Sequence, residues 1–141
     1  MEKFNRFNYF RNRDKHFANL IGIIDGIICD GCVNSQEILY LDTWLLNANE
    51  ISDNFCFKSI RRRISDALAD ETIDSTELNE IKKDLIIIQK NLLELPYLHL
   101  NSIESDRHLF EGLCKGILSD KELNDSEIKY LKWFLSKNDN L

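Results

Sequence analysis

The chain has 141 residues, a formal net charge of −6, 43% hydrophobic and 30% charged side chains, one proline and five glycines. That length suits one domain with one real core, and the composition excludes a disordered, collagen-like or low-complexity polypeptide. Four cysteines are too few for a disulfide scaffold, and Asp25 breaks the longest apolar run well short of a bilayer span, so a cytoplasmic protein without membrane contact is expected.

Residues 1–12 form a basic-aromatic arm: Phe4, Phe7, Tyr9 and Phe10 alternate with Arg6 and Arg11. Such mixtures stack bases and hold phosphate, or dock their rings on a protein surface. Lys3, Arg6, Arg11, Arg13 and Lys15 against Glu2 and Asp14 give residues 1–17 a charge of +3, leaving −9 for the remainder. An acidic body disfavours general nucleic-acid binding, so docking or a protein partner is the preferred reading of the arm.

A helix is expected near 13–29, with Phe17, Leu20, Ile21, Ile24, Ile27 and Ile28 at helical spacing. Cys29-Asp30-Gly31-Cys32 across its end has the CxxC spacing. A redox pair needs a lowered thiol pKa, whereas a helix C-terminus raises it. Zinc needs a second ligand pair, which Cys56, Cys114, His16, His99 and His108 do not supply. Free thiols are the simpler reading. A second helix near 35–48 carries Ile38, Leu41 and Leu45, with Tyr40 and Trp44 beside them. A third near 54–69 carries Phe57, Ile60, Ile64 and Leu68. Lys58 and Arg61, Arg62 and Arg63 make a basic face there, suited to an acidic protein or to nucleic acid. A fourth helix near 75–94 has the stripe Leu78, Ile81, Leu85, Ile88, Leu92 and ends at Pro96. Helices near 103–119 and 125–137 follow, the last with Leu131, Phe134 and Leu135 on one face and Tyr130 and Trp133 on another. Tyr and Trp are common interface anchors, so this C-terminal unit is the expected interface, with packing of Trp133 under the 95–102 linker as the alternative.

Three segments repeat one pattern: Asp30 to Ile38, Asp70 to Leu78 and Asp120 to Ile128. In each, an aliphatic precedes Asn34, Asp74 or Asn124, and Glu37, Glu77 or Glu127 follows three positions later. This is a capping box, with an aliphatic pair at the staple positions. The interval from Asp to Glu is too short for the twelve-residue calcium loop of an EF-hand. Asp30, Asp70 and Asp120 are weak metal candidates, and capping of loop amides explains them without metal. Gly22 and Gly26 match Gly112 and Gly116, and Tyr40-Leu41 matches Tyr130-Leu131, so the first and third units are the more alike. The expected fold is all-α: six helices as three tandem helix-loop-helix hairpins in one bundle. Its parts are the arm (1–12), a four-helix unit (13–94), a linker (95–102) and a third hairpin (103–141). Two hairpins close a four-helix bundle, so the third must cover the first two or be covered by a partner.

The run from Leu20 to Glu37, with Leu41-Asp-Thr-Trp-Leu45 and Leu68 to Glu77, resembles the helical N-terminal region of bacterial and prophage BRCT-domain proteins. More distantly it is similar to the TerB-like (tellurite-resistance) helical fold. The resemblance covers roughly residues 10–90, and a third helical unit stands where a BRCT domain would follow. It implies a non-catalytic accessory or interaction domain, of a kind found on mobile elements and in stress or defence operons.

No P-loop, GxGxxG or GxSxG motif and no nucleophile–base pattern is present. The expectation is a non-enzymatic interaction or regulatory module without cofactor, acting as inhibitor or adaptor, with another protein or a second copy as partner. The alternatives are a metal-linked TerB-like stress protein, and nucleic-acid binding through the arm and Arg61–Arg63.

Overall fold

Three helix starts are encoded by local chemistry. In the computed structural model, which describes residues 2–69, 73–95, 98, 100 and 103–138, and side chains from Asn12 onward except Glu50, Asn34 Oδ1 accepts from the Glu37 amide at 2.9 Å. Glu37 Oε1 accepts from the Asn34 amide at 3.0 Å. Asn124 and Glu127 repeat the reciprocal pair at 2.9 and 3.1 Å. The middle box is half-formed: Asp74 accepts from the Glu77 amide at 2.8 Å, while Glu77 Oε2 is buried without a partner.

The helices are α1 (Glu2–Ile28), α2 (Ser35–Leu46), α3 (Phe55–Ala69), α4 (Ser75–Leu93), α5 (Ile103–Ile117) and α6 (Asp125–Lys137), with 3₁₀ turns at Asn49–Ile51 and Leu118–Asp120. No strand occurs among the described residues. One boundary departs from expectation. α1 begins at Glu2 rather than near residue 13, so the expected arm continues the first helix. No proline or glycine lies between Glu2 and Ile21 to stop propagation. The side chains of Phe4, Phe7 and Phe10 lie outside the described residues.

The first two hairpins close one core. Leu20, Ile24 and Ile27 of α1 meet Ile38 and Leu41 of α2, Phe57 and Ile60 of α3, and Ile81 and Leu85 of α4. Linker residues Leu95, Leu98 and Leu100 pack against the same core.

The third hairpin attaches differently. The most extensive helix contact in the molecule is α1 with α5, and it runs through glycine. A Cβ on Gly26 would lie 2.6 Å from the Ile117 nitrogen, and one on Gly22 2.7 Å from the Leu113 nitrogen. From the other side, a Cβ on Gly112 would lie 2.9 Å from Asn19 Cα, and one on Gly116 3.0 Å from Gly26 Cα. The two backbones are in direct contact, an approach that only glycine permits. Asn19, buried beside this ridge, donates to the carbonyls of Lys15 and His108 at 3.2 Å each and accepts from Lys115 Nζ at 3.0 Å. Its polar atoms are therefore satisfied where burial would otherwise cost stability.

Candidate interaction surface

The α1–α5 contact is reciprocal. Gly22 faces Leu109 to Leu113 and Gly26 faces Leu113 to Ile117, while Gly112 faces Asn19 and Gly116 faces Ile23 and Gly26. Reciprocity of this kind marks an approximate two-fold relation between the first and third hairpins. The loops obey it too. Asn34 Nδ2 donates to Asp120 Oδ2 at 2.9 Å, and Asn124 Nδ2 donates to Asp30 Oδ2 at 2.8 Å. The other oxygen of each aspartate accepts from a local amide, Cys32 or Glu122, at 3.0 Å. Each asparagine thus caps its own helix and clamps the opposite loop. Four carboxylates gather at this axis. Burial, with Asp30, Asp120 and Glu127 nearby, pushes Glu37 up to about 8 despite its bond from the Asn34 amide. Burial likewise raises Glu127.

Asp25 ties three helices together. It accepts from Gln89 Nε2 of α4 at 2.5 Å and from the Tyr130 hydroxyl of α6 at 3.2 Å. Gln89 Nε2 also reaches the Ile21 carbonyl at 3.2 Å. Burial raises Asp25, and the two hydrogen bonds oppose that. Tyr130, expected as a surface anchor, is half-buried in this link. Trp133 is the exposed one, at 47%. Its ring lies 5.3 Å from that of Tyr130, with Lys137 Nζ 4.4 Å above it.

The approximate symmetry is broken at one place: the second hairpin covers only the first. On α2, Ile38, Leu41 and Leu45 are fully buried. Their counterparts on α6 are half-buried Ile128 and Leu131, and Leu135 at 45% exposure. On α1, Leu20 and Ile24 are fully buried. Their counterparts Phe110 and Cys114 line an open groove of about 580 Å³ with Tyr40, Arg107, Lys115 and Leu118. Phe110 also stacks on Phe134 of α6, with ring centroids 5.8 Å apart. This groove is the image of the seat that α4 occupies on α1. Full burial of a leucine or isoleucine is worth roughly 1.5–3 kcal/mol, and at Ile128, Leu131 and Leu135 of α6 that burial is incomplete.

The other candidates are less complete. Arg63 is engaged by Asp84 at 2.8 Å and Glu80 at 3.4 Å, so only part of the Arg61–Arg63 cluster faces solvent unengaged by α4; Arg62 is exposed and Arg61 half-buried. Cys29 Sγ contacts the Gly26 carbonyl at 3.4 Å. Burial and the surrounding carboxylates push its thiol up to about 12, away from a reactive thiolate. All four cysteines are free. Among the described residues, no three His, Cys, Asp or Glu side chains gather as a metal-ligand set. Asp30 and Asp120 are held in the loop clamp, and Asp70 lies outside the described residues. No described helix is long and apolar enough to cross a membrane.

Sequence reasoning missed Asp25, Gln89 and Asn19. Each is a polar residue within or facing an apolar helical stripe, which is the available signal for a buried polar tie. Comparison with family models, with curated proteins and with solved structures finds no match to this chain.

Proposed function

We propose that the chain is a non-enzymatic interaction module that binds protein through the α5–α6 face of its third hairpin. The observation carrying this reading is the contrast between two equivalent faces: Ile38, Leu41 and Leu45 are buried beneath the second hairpin, while Ile128, Leu131 and Leu135 have no such cover. Contiguous apolar surface of this kind is characteristic of interaction sites. The inhibitor or adaptor role in a stress or defence system, which the family resemblance implies, would be exercised through the same face.

A photo-crosslinking residue at Leu135, compared with one at exposed Ser65 on α3, tests the reading in living cells of the native host. Discrete protein adducts from position 135 and none from 65 are expected. Absence of any protein adduct at 135, or nucleic-acid adducts from exposed Arg62, would contradict it.

A further inference from the structure

We infer that the occupant of the α5–α6 face is a second copy of this chain, the two faces meeting about a two-fold axis with α6 antiparallel to its copy. The inference rests on the interaction reading above and names the partner. Two observations carry it.

The first is the way the chain covers an identical face within itself. α1–α2 is covered by α3–α4, a hairpin of the same repeat with its own capped helix start. The third hairpin has the same start and the same stripe. Among the described residues no further hairpin of that repeat covers it. The unit with a matching uncovered face is the third hairpin of another copy. Two such hairpins together rebuild a four-helix arrangement like that of α1–α4.

The second is charge. α6 is polarised along its length: Asp125 and Glu127 lie in its first turn, Lys129 and Lys132 follow, and Lys137 closes its last turn. Parallel pairing would set like charges together. Antiparallel pairing about a two-fold sets the acidic start of each helix toward the basic end of the other, and it opposes the helix dipoles favourably as well. Such a surface is self-complementary, which an isologous interface requires.

Sedimentation equilibrium on the full chain, from low micromolar to about 100 μM, tests this. Wild type should approach twice 16.6 kDa as concentration rises. Leu135→Glu should stay at 16.6 kDa with unchanged helical circular dichroism, since that side chain is already solvent-exposed in the single chain. Asp125→Lys alone, and Lys132→Asp with Lys137→Asp, should each weaken association at least about tenfold, and mixing the two variants should restore it. A wild type that remains at 16.6 kDa throughout, or a Leu135→Glu chain that still dimerises, overturns the inference. A monomeric wild type whose position 135 still crosslinks to a foreign protein overturns self-pairing alone. A monomer without any crosslink overturns the interaction reading with it.

Discussion

Asn34 on one side of the molecule donates its side-chain amide to Asp120 on the other at 2.9 Å, while its oxygen caps α2. The mirror bond, Asn124 to Asp30, does the same for α6. One residue type therefore starts a helix and fastens two hairpins together. Because capping and clamping are combined, a single deletion cannot separate them. A double-mutant cycle on Asn34→Ala and Asp120→Ala isolates the clamp, and urea unfolding should give a coupling of about 0.5–1 kcal/mol for this exposed pair. A coupling near zero would mean that the contact contributes nothing to the attachment.

The glycine ridge makes a stronger demand. Gly22→Val places atoms inside the α5 backbone, and nothing flexible is available to yield. The gain in helix propensity, at most ~1 kcal/mol, is small beside the loss of the closest helix contact. Destabilisation of about 3 kcal/mol is expected by calorimetry or urea, with the third hairpin released first in hydrogen exchange.

Glu37 gives stability an unusual pH dependence. The folded chain holds the Glu37 proton up to about pH 8, whereas an unfolded glutamate loses it near pH ~4.3. Between those values the unfolded state binds fewer protons, so this residue's contribution is full below the lower value and is lost as pH rises through the upper one. Glu127 is raised as well and acts in the same direction. Glu37→Gln keeps an oxygen for the Asn34 amide and removes the charge. Relative to this variant, wild type should lose roughly 1–3 kcal/mol between pH 5 and pH 8. Parallel pH profiles would contradict the burial of a protonated carboxyl.

The third hairpin turns with a poorer residue than the first. Gly31, in the loop just after α1, has φ +80°, and the matching position after α5 is Lys121 with φ +63°. A side chain in the left-handed region is strained, and glycine relieves it. Lys121→Gly should stabilise the chain by up to ~1 kcal/mol in thermal or urea unfolding, while Gly31→Ala should destabilise it by a similar amount.

The helices and their starts were legible because a capping box and an amphipathic stripe are local, spanning three to seven residues. The start of α1 was not, since Phe4, Phe7 and Phe10, though three apart, are interleaved with Arg6 and Arg11 and read equally as a basic-aromatic arm. The pairing of hairpins was half-legible. Gly22 and Gly26 with Gly112 and Gly116 pointed to a close approach, but not to an approach of one pair upon the other. Once those backbones meet, Asn34 must face Asp120, and the stripe of α6 is turned away from the core that covers α2. Asp25 read as a mere interruption of an apolar run. Its partners Gln89 and Tyr130 lie 64 and 105 residues away, and no short-range pattern could name them.

Hydrogen–deuterium exchange at two protein concentrations tests most directly whether α2 and α6 present equivalent faces, one covered and one open. Amides of α2 should be well protected at both concentrations, while those of α6 should exchange quickly in dilute solution and slow as concentration rises. Equal protection of α6 and α2 in dilute solution, or α6 exchange indifferent to concentration, would contradict an open face that awaits a second chain.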